Sequence, residues 1–371
     1  DANANFSASG GNVTFSGAGF LKCARGVSSW GSSTLNAGTV IFDRADGNPQ
    51  NVKSYDYYNL TIDGNATHQL TTSSPAFNVA GDLVVNSPAT TIFSVNEYDV
   101  TVTGTTDVDG TLSISTGSLT ANGPTDIDGT LSITSTGEYD ANNTFTAASG
   151  IVNFDGAGFL RCNNTVTNLG ALSTDNGTVE YDGGNQNVLA DTYNNLEIDQ
   201  AGTKTAQGTV TVNGTLTVQN TGLVIYDIAG TNTTVTGATT VNHTDASNSG
   251  TIKLTTGTYE ADGTTDINGK LTIHGTGIYD ADNTFDATGA TVEFTSTGGT
   301  LKLGGATVTS IGNVFTGGSG TVEYDYAGAQ NIKTRTYHNL VLDNGTKSTT
   351  GNATISNDLT ITADGTLNSG A

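Results

Sequence analysis

One eight-residue string limits the possible folds more than any other feature of this chain. Asp107-Val108-Asp109-Gly110-Thr111-Leu112-Ser113-Ile114 recurs 19 residues later as Asp126-Ile127-Asp128-Gly129-Thr130-Leu131-Ser132-Ile133. Gly250-Thr251-Ile252 returns after the same interval as Gly269-Lys270-Leu271. A unit that short cannot bury its own apolar side, but a stack of such units can. Within the string Val108, Leu112 and Ile114 fall on one side and Asp109, Thr111 and Ser113 on the other, the period of two that a strand requires. Asp-Gly, Asn-Gly and Gly-Gly pairs close these runs and are expected to supply positive φ at tight corners. The step also widens: Val152 to Val179, in matching Ile-Val-Asn-Phe and Thr-Val-Glu-Tyr settings, is 27 residues.

The expected fold is therefore all-β, a parallel β-helix (β-solenoid) with a coil of about 19 residues plus loop insertions. At about 4.8 Å per coil, roughly 16–20 coils would make a rod on the order of 75–95 Å long. A β-propeller needs about four strands per blade of about 40–50 residues with blade signatures, which are not found. Tandem sandwich domains would suit a longer period in the chain, but a 19-residue step inside that period is too short to be a sandwich.

That longer period is about 140 residues. Asp1-Ala2-Asn3-Ala4-Asn5-Phe6 returns as Asp140-Ala141-Asn142-Asn143-Thr144-Phe145 and as Asp280-Ala281-Asp282-Asn283-Thr284-Phe285. Gly19-Phe20-Leu21-Lys22-Cys23 matches Gly158-Phe159-Leu160-Arg161-Cys162. Gln50-Asn51-Val52 matches Gln186-Asn187-Val188 and Gln330-Asn331-Ile332. The reading is one continuous solenoid over 1–371, with super-repeats 1–139, 140–279 and an incomplete 280–371. Cys23 and Cys162 then occupy one place in successive copies, several coils apart, too far for a disulfide. Leu303 stands there in the third copy, so an apolar interior site and free thiols are expected.

Composition narrows the function. The 371 residues include 68 Thr, 49 Gly and 37 Asn, but only 12 Lys plus Arg against 35 Asp plus Glu, a net charge of −23. Such a surface repels phosphates, which excludes nucleic acid as a partner. No run approaches 18 apolar residues, so no membrane span is expected. An acidic, Lys-poor, Thr- and Asn-rich surface stays soluble and resists non-specific association, which points to an extracellular or cell-surface protein. Without an initiator Met or an apolar leader, the chain reads as processed or as an excerpt.

The run from Gly177 to Val218 contains Gly-Thr-Val-Glu-Tyr-Asp, Gln-Asn-Val, Thr-Tyr-Asn-Asn-Leu-Glu-Ile-Asp and Thr-Val-Asn-Gly-Thr-Leu-Thr-Val, and matching runs start at Gly38 and Gly320. It resembles repeats in very large secreted surface proteins of Bacteroidota, many of them described as adhesins. The 19-residue step is also similar to that of filamentous, haemagglutinin-type β-helical adhesins. These resemblances imply export, surface attachment and a structural or adhesive role.

The candidate site residues are Asp107, Asp109, Asp126 and Asp128. Stacked on adjacent coils, they would gather four carboxylates, a repulsive set unless a cation lies between them. Ca²⁺ prefers such oxygen-rich turns; Asp266-Ile267-Asn268-Gly269 keeps the pattern with one charge fewer, and solvated turn residues are the alternative. No other cofactor is expected. His68, His243, His274 and His338 lie in different local settings without a matched carboxylate and cation set, so catalysis is not expected. Asn59, Asn195, Asn339, Gln50, Gln186 and Gln330 recur a full repeat apart, so each is expected to bond local backbone rather than form an amide ladder. Thr-x-Thr rows such as Thr209-Val210-Thr211 suit an ice-binding face, but matching positions read Thr-Leu-Ser, Lys-Leu-Thr and Thr-Ile-Lys, which breaks the array.

The expected function is an extracellular structural or adhesive surface protein, with a glycan- or ice-binding module as alternative and a β-helical carbohydrate-active enzyme third. Surface glycans are expected partners. Placing Asp1-Ala2-Asn3 after Asp364-Gly365-Thr366-Leu367-Asn368-Ser369-Gly370-Ala371 nearly reproduces the internal junction from Asp128 to Asn142. Open solenoid ends invite stacking, so head-to-tail self-association into a filament, or continuation within a longer fibre, is expected.

Overall fold

Strands of two to seven residues, separated by corners, follow one another along the whole chain, and nearly all pair in parallel with the strand about one coil later. The computed structural model describes residues 2, 4–32, 37–71, 76–173, 175–245, 247–295, 298–312, 318–349 and 351–368. Asp1, Asn3 and 369–371, on which part of the end-to-end expectation rests, lie outside the described residues. The fold is a parallel β-solenoid of about 17 turns, as the 19-residue step implies. No helix of the structure is long and apolar enough to cross a membrane.

Two compact units divide the chain, Asp1–Glu180 and Tyr181–Ala371. In the first, each coil has three faces. The first face is an eight-stranded sheet from Phe20–Cys23 to Val166–Asn168, and the second a seven-stranded sheet from Gln50–Lys53 to Ala171–Leu172. The third contains Ala76–Val79, Asp99–Val102, Ser118–Ala121, Glu138–Ala141 and Phe159–Cys162. The second unit also winds three faces, beginning with Gln186–Val188, Thr192–Tyr193 and Asn195–Ile198. Its one antiparallel excursion among the described residues is the hairpin of His243–Asp245 against Asn248–Leu254.

The alternating pattern read from sequence sets the packing. On the second face of the first unit Phe93, Leu112, Leu131 and Val152 align in register from coil to coil and are fully buried. Burying such side chains stabilises by about 1.5–3 kcal/mol each, while Thr, Ser and Asn between them face outward on a pleated surface that suits β-branched residues. Buried phenols find hydroxyl partners: Tyr139 with Thr125 at 2.8 Å, Tyr259 with Thr239 at 2.8 Å and Tyr279 with Thr265 at 3.1 Å. Cys23 and Cys162 are buried free thiols, and Leu303 is buried at the matching place, as expected.

Two features differ from the sequence reading. Gly110 and Gly129 do not have positive φ, although Gly64 and Gly345 do, at 84° and 52°. The Asp-Gly corners need glycine because coils stack too closely for a Cβ, which at Gly129 would stand 2.0 Å from the Gly110 carbonyl oxygen. The super-repeat also does not return to its own face. Phe20–Cys23 lies on the first face and its counterpart Phe159–Cys162 on the third, six coils and two thirds further on. In the second unit, Asn195–Ile198 and Asn339–Leu342 show the same offset.

Candidate functional site

The four aspartates are brought together as the repeat predicts. Thr106–Val108 pairs with Thr125–Ile127 so that Asp107 lies directly opposite Asp126. Asp109 and Asp128 sit at the corners, where their N–H groups donate to Val85 O (2.8 Å) and Val108 O (3.0 Å) of the preceding coil. Asp107 is held above the usual carboxylate range, first by partial burial and then by Asp109, Asp126 and Asp128. Asp126 is raised by burial and by Asp128 and Asp109. The ladder is two coils long, since Val84 precedes Asp107 and Thr146 follows Asp126 in register.

A tighter acidic group lies in the second unit and was missed in the sequence. One carboxylate oxygen from each of Glu260, Asp262 and Asp282 lies within 4.8 Å of the other two, all three residues being exposed; the four aspartates of the first unit do not converge in this way. Burial, Asp280 and Asp262 raise Asp282, and Lys302 opposes them. The donors are all oxygen, which suits a hard cation such as Ca²⁺. The ammonium of Lys302, 3.4 Å from Asp280 Oδ2, competes with it for the local negative field.

Elsewhere cations sit between carboxylates along the coil axis. Arg161 faces Glu138, Asp140 and Glu180 at 3.8, 3.6 and 2.8 Å. Its counterpart Lys302 faces Asp280 and Asp325 at 3.4 and 3.9 Å. By contrast, the second face of the first unit has an uncharged patch of two columns. Thr67, Ile92, Thr111, Thr130 and Ile151 form one, and Gln69, Ser94, Ser113, Ser132 and Asn153 the other.

The recurring amides are structural, as expected. Asn59 Oδ1 accepts the Asp82 N–H at 2.9 Å, and Asn195 Oδ1 the Thr215 N–H at 2.9 Å, each tying a corner to the next coil. Gln330 Nε2 donates to Leu303 O and Gly305 O, both at 2.8 Å. Gln50 Nε2 does the same to Cys23 O and to Arg25 O. Sequence reading did not detect what stands one coil further in register: His68 beyond Gln50, Lys204 beyond Gln186 and Lys347 beyond Gln330, all fully buried. The signal was present, since a basic residue follows each recurring Gln by 17 or 18 positions.

The histidines do not share a site. His68 is interior, His243 is exposed on the hairpin, His274 Nδ1 lies 2.6 Å from Thr295 Oγ1 and His338 Nδ1 lies 3.4 Å from Ser356 Oγ. A shallow depression of about 310 Å³ is lined by Leu70, Asn96, Glu97, Tyr98, Ser115 and Thr116, with Glu97 the only carboxylate among them. No family model matches the chain, and neither does a curated protein or a solved structure.

Proposed function

We propose that this chain is a non-enzymatic structural or adhesive segment of an extracellular surface protein, assembling end to end or lying within a longer fibre. The observation that carries this reading is the phase of the super-repeat: an advance of six coils and two thirds turns each copy of a motif onto a different face. That arrangement distributes equivalent surfaces around the coil axis, which suits a strut or a multivalent contact surface and does not build one cleft. The resemblance of its repeats to secreted surface proteins of Bacteroidota supports the same reading, as does the neutralisation of carboxylate columns by interposed Arg161 and Lys302. Electron microscopy of the native material at high concentration tests it. Threads that lengthen with concentration, or coils that continue into neighbouring sequence, are expected; isolated short particles under every condition would overturn it.

A second reading, a glycan- or ice-binding module, is favoured by the uncharged Thr/Ile and Ser/Asn columns in a chain of net charge −23. Glycan-array binding or thermal hysteresis that disappears in Thr111→Asp/Thr130→Asp would favour this module over a plain strut. Calcium held at Asp107, Asp109, Asp126 and Asp128 would fit either reading, as a clamp between two coils.

A further inference from the structure

The interior of each super-repeat is interrupted once by a polar pair, and the three pairs are not alike. In the two later copies the upper member is Lys. Lys204 Nζ donates to Gln200 O, and Lys347 Nζ donates to Tyr326 O and Asn344 O, both at 2.6 Å. Carboxylates stand beside each ammonium: Asp199 and Asp182 near Lys204, Asp325 and Asp343 near Lys347. Backbone carbonyls and nearby carboxylates are what an ammonium needs in order to stay charged away from water.

In the first copy a shorter imidazole takes that place. His68 is fully buried and pairs in register with Gln50 on one side and Phe93 on the other. Neither ring nitrogen has a hydrogen-bond partner. Gln50 has no capacity to spare: its amide nitrogen serves Cys23 O and Arg25 O, and its oxygen accepts the Arg44 N–H. The charged groups around the ring are few. Asp63 at the corner of its own coil favours a proton and Arg44 opposes it. Lys53 is the only titratable group on the neighbouring strand Gln50–Lys53, and it lies on the outward side; Ile92–Asn96 on the other side has none.

We propose that His68 makes the first super-repeat acid-labile at one interior point: protonation of its imidazole opens the coils between Gln50 and Asn96, while the Lys-bearing coils of the second unit hold. A proton on this ring has no acceptor in place, so the charged form must either leave the core or draw water into it. Burial pushes the His68 imidazole down to about 4 from an ordinary 6.5, with the Asp63 backbone and carboxylate working partly against it. The unfolded chain therefore binds this proton first, and stability falls as pH drops from about 6.5 towards 4. This inference concerns the interior and does not depend on whether the surface is adhesive.

Trp30, the only tryptophan and a buried residue of the first unit, gives a selective readout. Denaturant unfolding of the full chain is followed by Trp30 emission between pH 7.5 and 4.5 in the wild type, His68→Leu and His68→Lys. Below pH 6.5 the wild type should lose about a further tenfold in its folded-to-unfolded ratio per pH unit, relative to His68→Leu. The His68→Lys variant should show no such step, since an ammonium does not titrate in that window. Should both variants fail to fold, the imidazole of the wild type is titrated by NMR against a histidine model peptide. A ring that stays neutral at pH 5.5, with Trp30 emission lost as it finally titrates, supports the proposal. Parallel pH profiles for wild type and His68→Leu, or a ring that protonates near 6.5 in an intact fold, would overturn it.

Discussion

The recurring Gly-Thr-Val motif offers a quantitative test of how this solenoid is packed. An added Cβ at Gly177 would lie 2.1 Å from both Cδ1 and Cγ of Phe154, and 2.7 Å from its Cβ. The counterpart distances to Cδ1 and Cγ are 2.1 and 2.2 Å at Gly320 against Phe294, and 2.1 and 2.2 Å at Gly38 against Phe15. None of the three glycines has positive φ, so alanine is allowed by the backbone and the obstacle is the ring alone. Ordinary contact would require the ring to retreat by more than 1 Å. Phe154 and Phe294 are 2% and 0% exposed and have nowhere to go, whereas Phe15 is only half-buried. Overpacking a closed core costs about 1–3 kcal/mol, and expelling the ring would approach the roughly 3–5 kcal/mol of a Phe→Ala change. Against this stands about 0.4–1 kcal/mol gained by removing glycine from the unfolded chain. Gly177→Ala and Gly320→Ala should therefore each cost about 2 kcal/mol, and Gly38→Ala clearly less. Gly17→Ala, where a Cβ meets nothing within 4 Å, should be neutral or slightly stabilising. Denaturant titration by circular dichroism measures all four. In the double variant Phe154→Leu/Gly177→Ala the alanine should add almost nothing to the cost of Phe154→Leu. A Gly177→Ala variant as stable as Gly17→Ala would refute the ring-on-glycine account.

Three further outcomes are expected. Burial lowers Lys204 to about 8, so the unfolded chain binds its proton more tightly and stability should rise as pH climbs from about 8 towards 10.5; Lys204→Met should lack that rise in alkaline unfolding curves. Asp107→Asn/Asp126→Asn removes a directly opposed like-charge pair and should raise stability by a few tenths of a kcal/mol in chelator. If calcium binds there, the same variant should lose the calcium-dependent rise in melting temperature, which is measured by thermal melts with and without the ion. Cys23, pushed up to about 12 mainly by burial, and the buried Cys162 should resist a thiol reagent in the native chain and react on unfolding; rapid native labelling at either would place it wrongly.

The sequence showed the coil clearly because every inward position carries the period-two signal, and Asp107 against Asp126 or Leu112 against Leu131 then align by a shift of 19. The thiols at Cys23 and Cys162 were legible for the same reason, with Leu303 acting as the apolar control. Three things were hidden. The glycine requirement at Gly110 and Gly129 comes from the coil beneath and not from local backbone conformation, so Asp-Gly pairs were read through the wrong constraint. The Glu260, Asp262 and Asp282 group depends on two corners whose carboxylates meet only after stacking. The Gln with Lys or His pairs place charge in an apolar column, where patterning predicts none; only their fixed spacing after Gln50, Gln186 and Gln330 could have revealed them.

The offset of two thirds of a coil has a consequence for what the motifs must satisfy. Phe20-Leu21-Lys22-Cys23 works on the first face of the first unit, and Phe159-Leu160-Arg161-Cys162 works on the third, with Leu21 half-buried and Leu160, Cys23 and Cys162 fully so. A segment that must fit more than one face cannot specialise for the neighbours of either. Its inward residues therefore have to be accepted by any wall of the coil, which favours Leu, Val, Ile and small Cys or Ala over shapes that demand a single partner. The larger groups escape this rule by carrying their partner with them. Tyr181 pairs with Tyr193 and Tyr324 with Tyr337, each at 3.1 Å between hydroxyls and each within its own copy. The polar pairs do the same, since Gln186 and Lys204, like Gln330 and Lys347, lie one coil apart inside a single copy. Local pairing lets a long repeat recur at any third of a turn. It also explains why the single departure in the set, His68 in place of Lys, is felt within its own copy and not passed to the next.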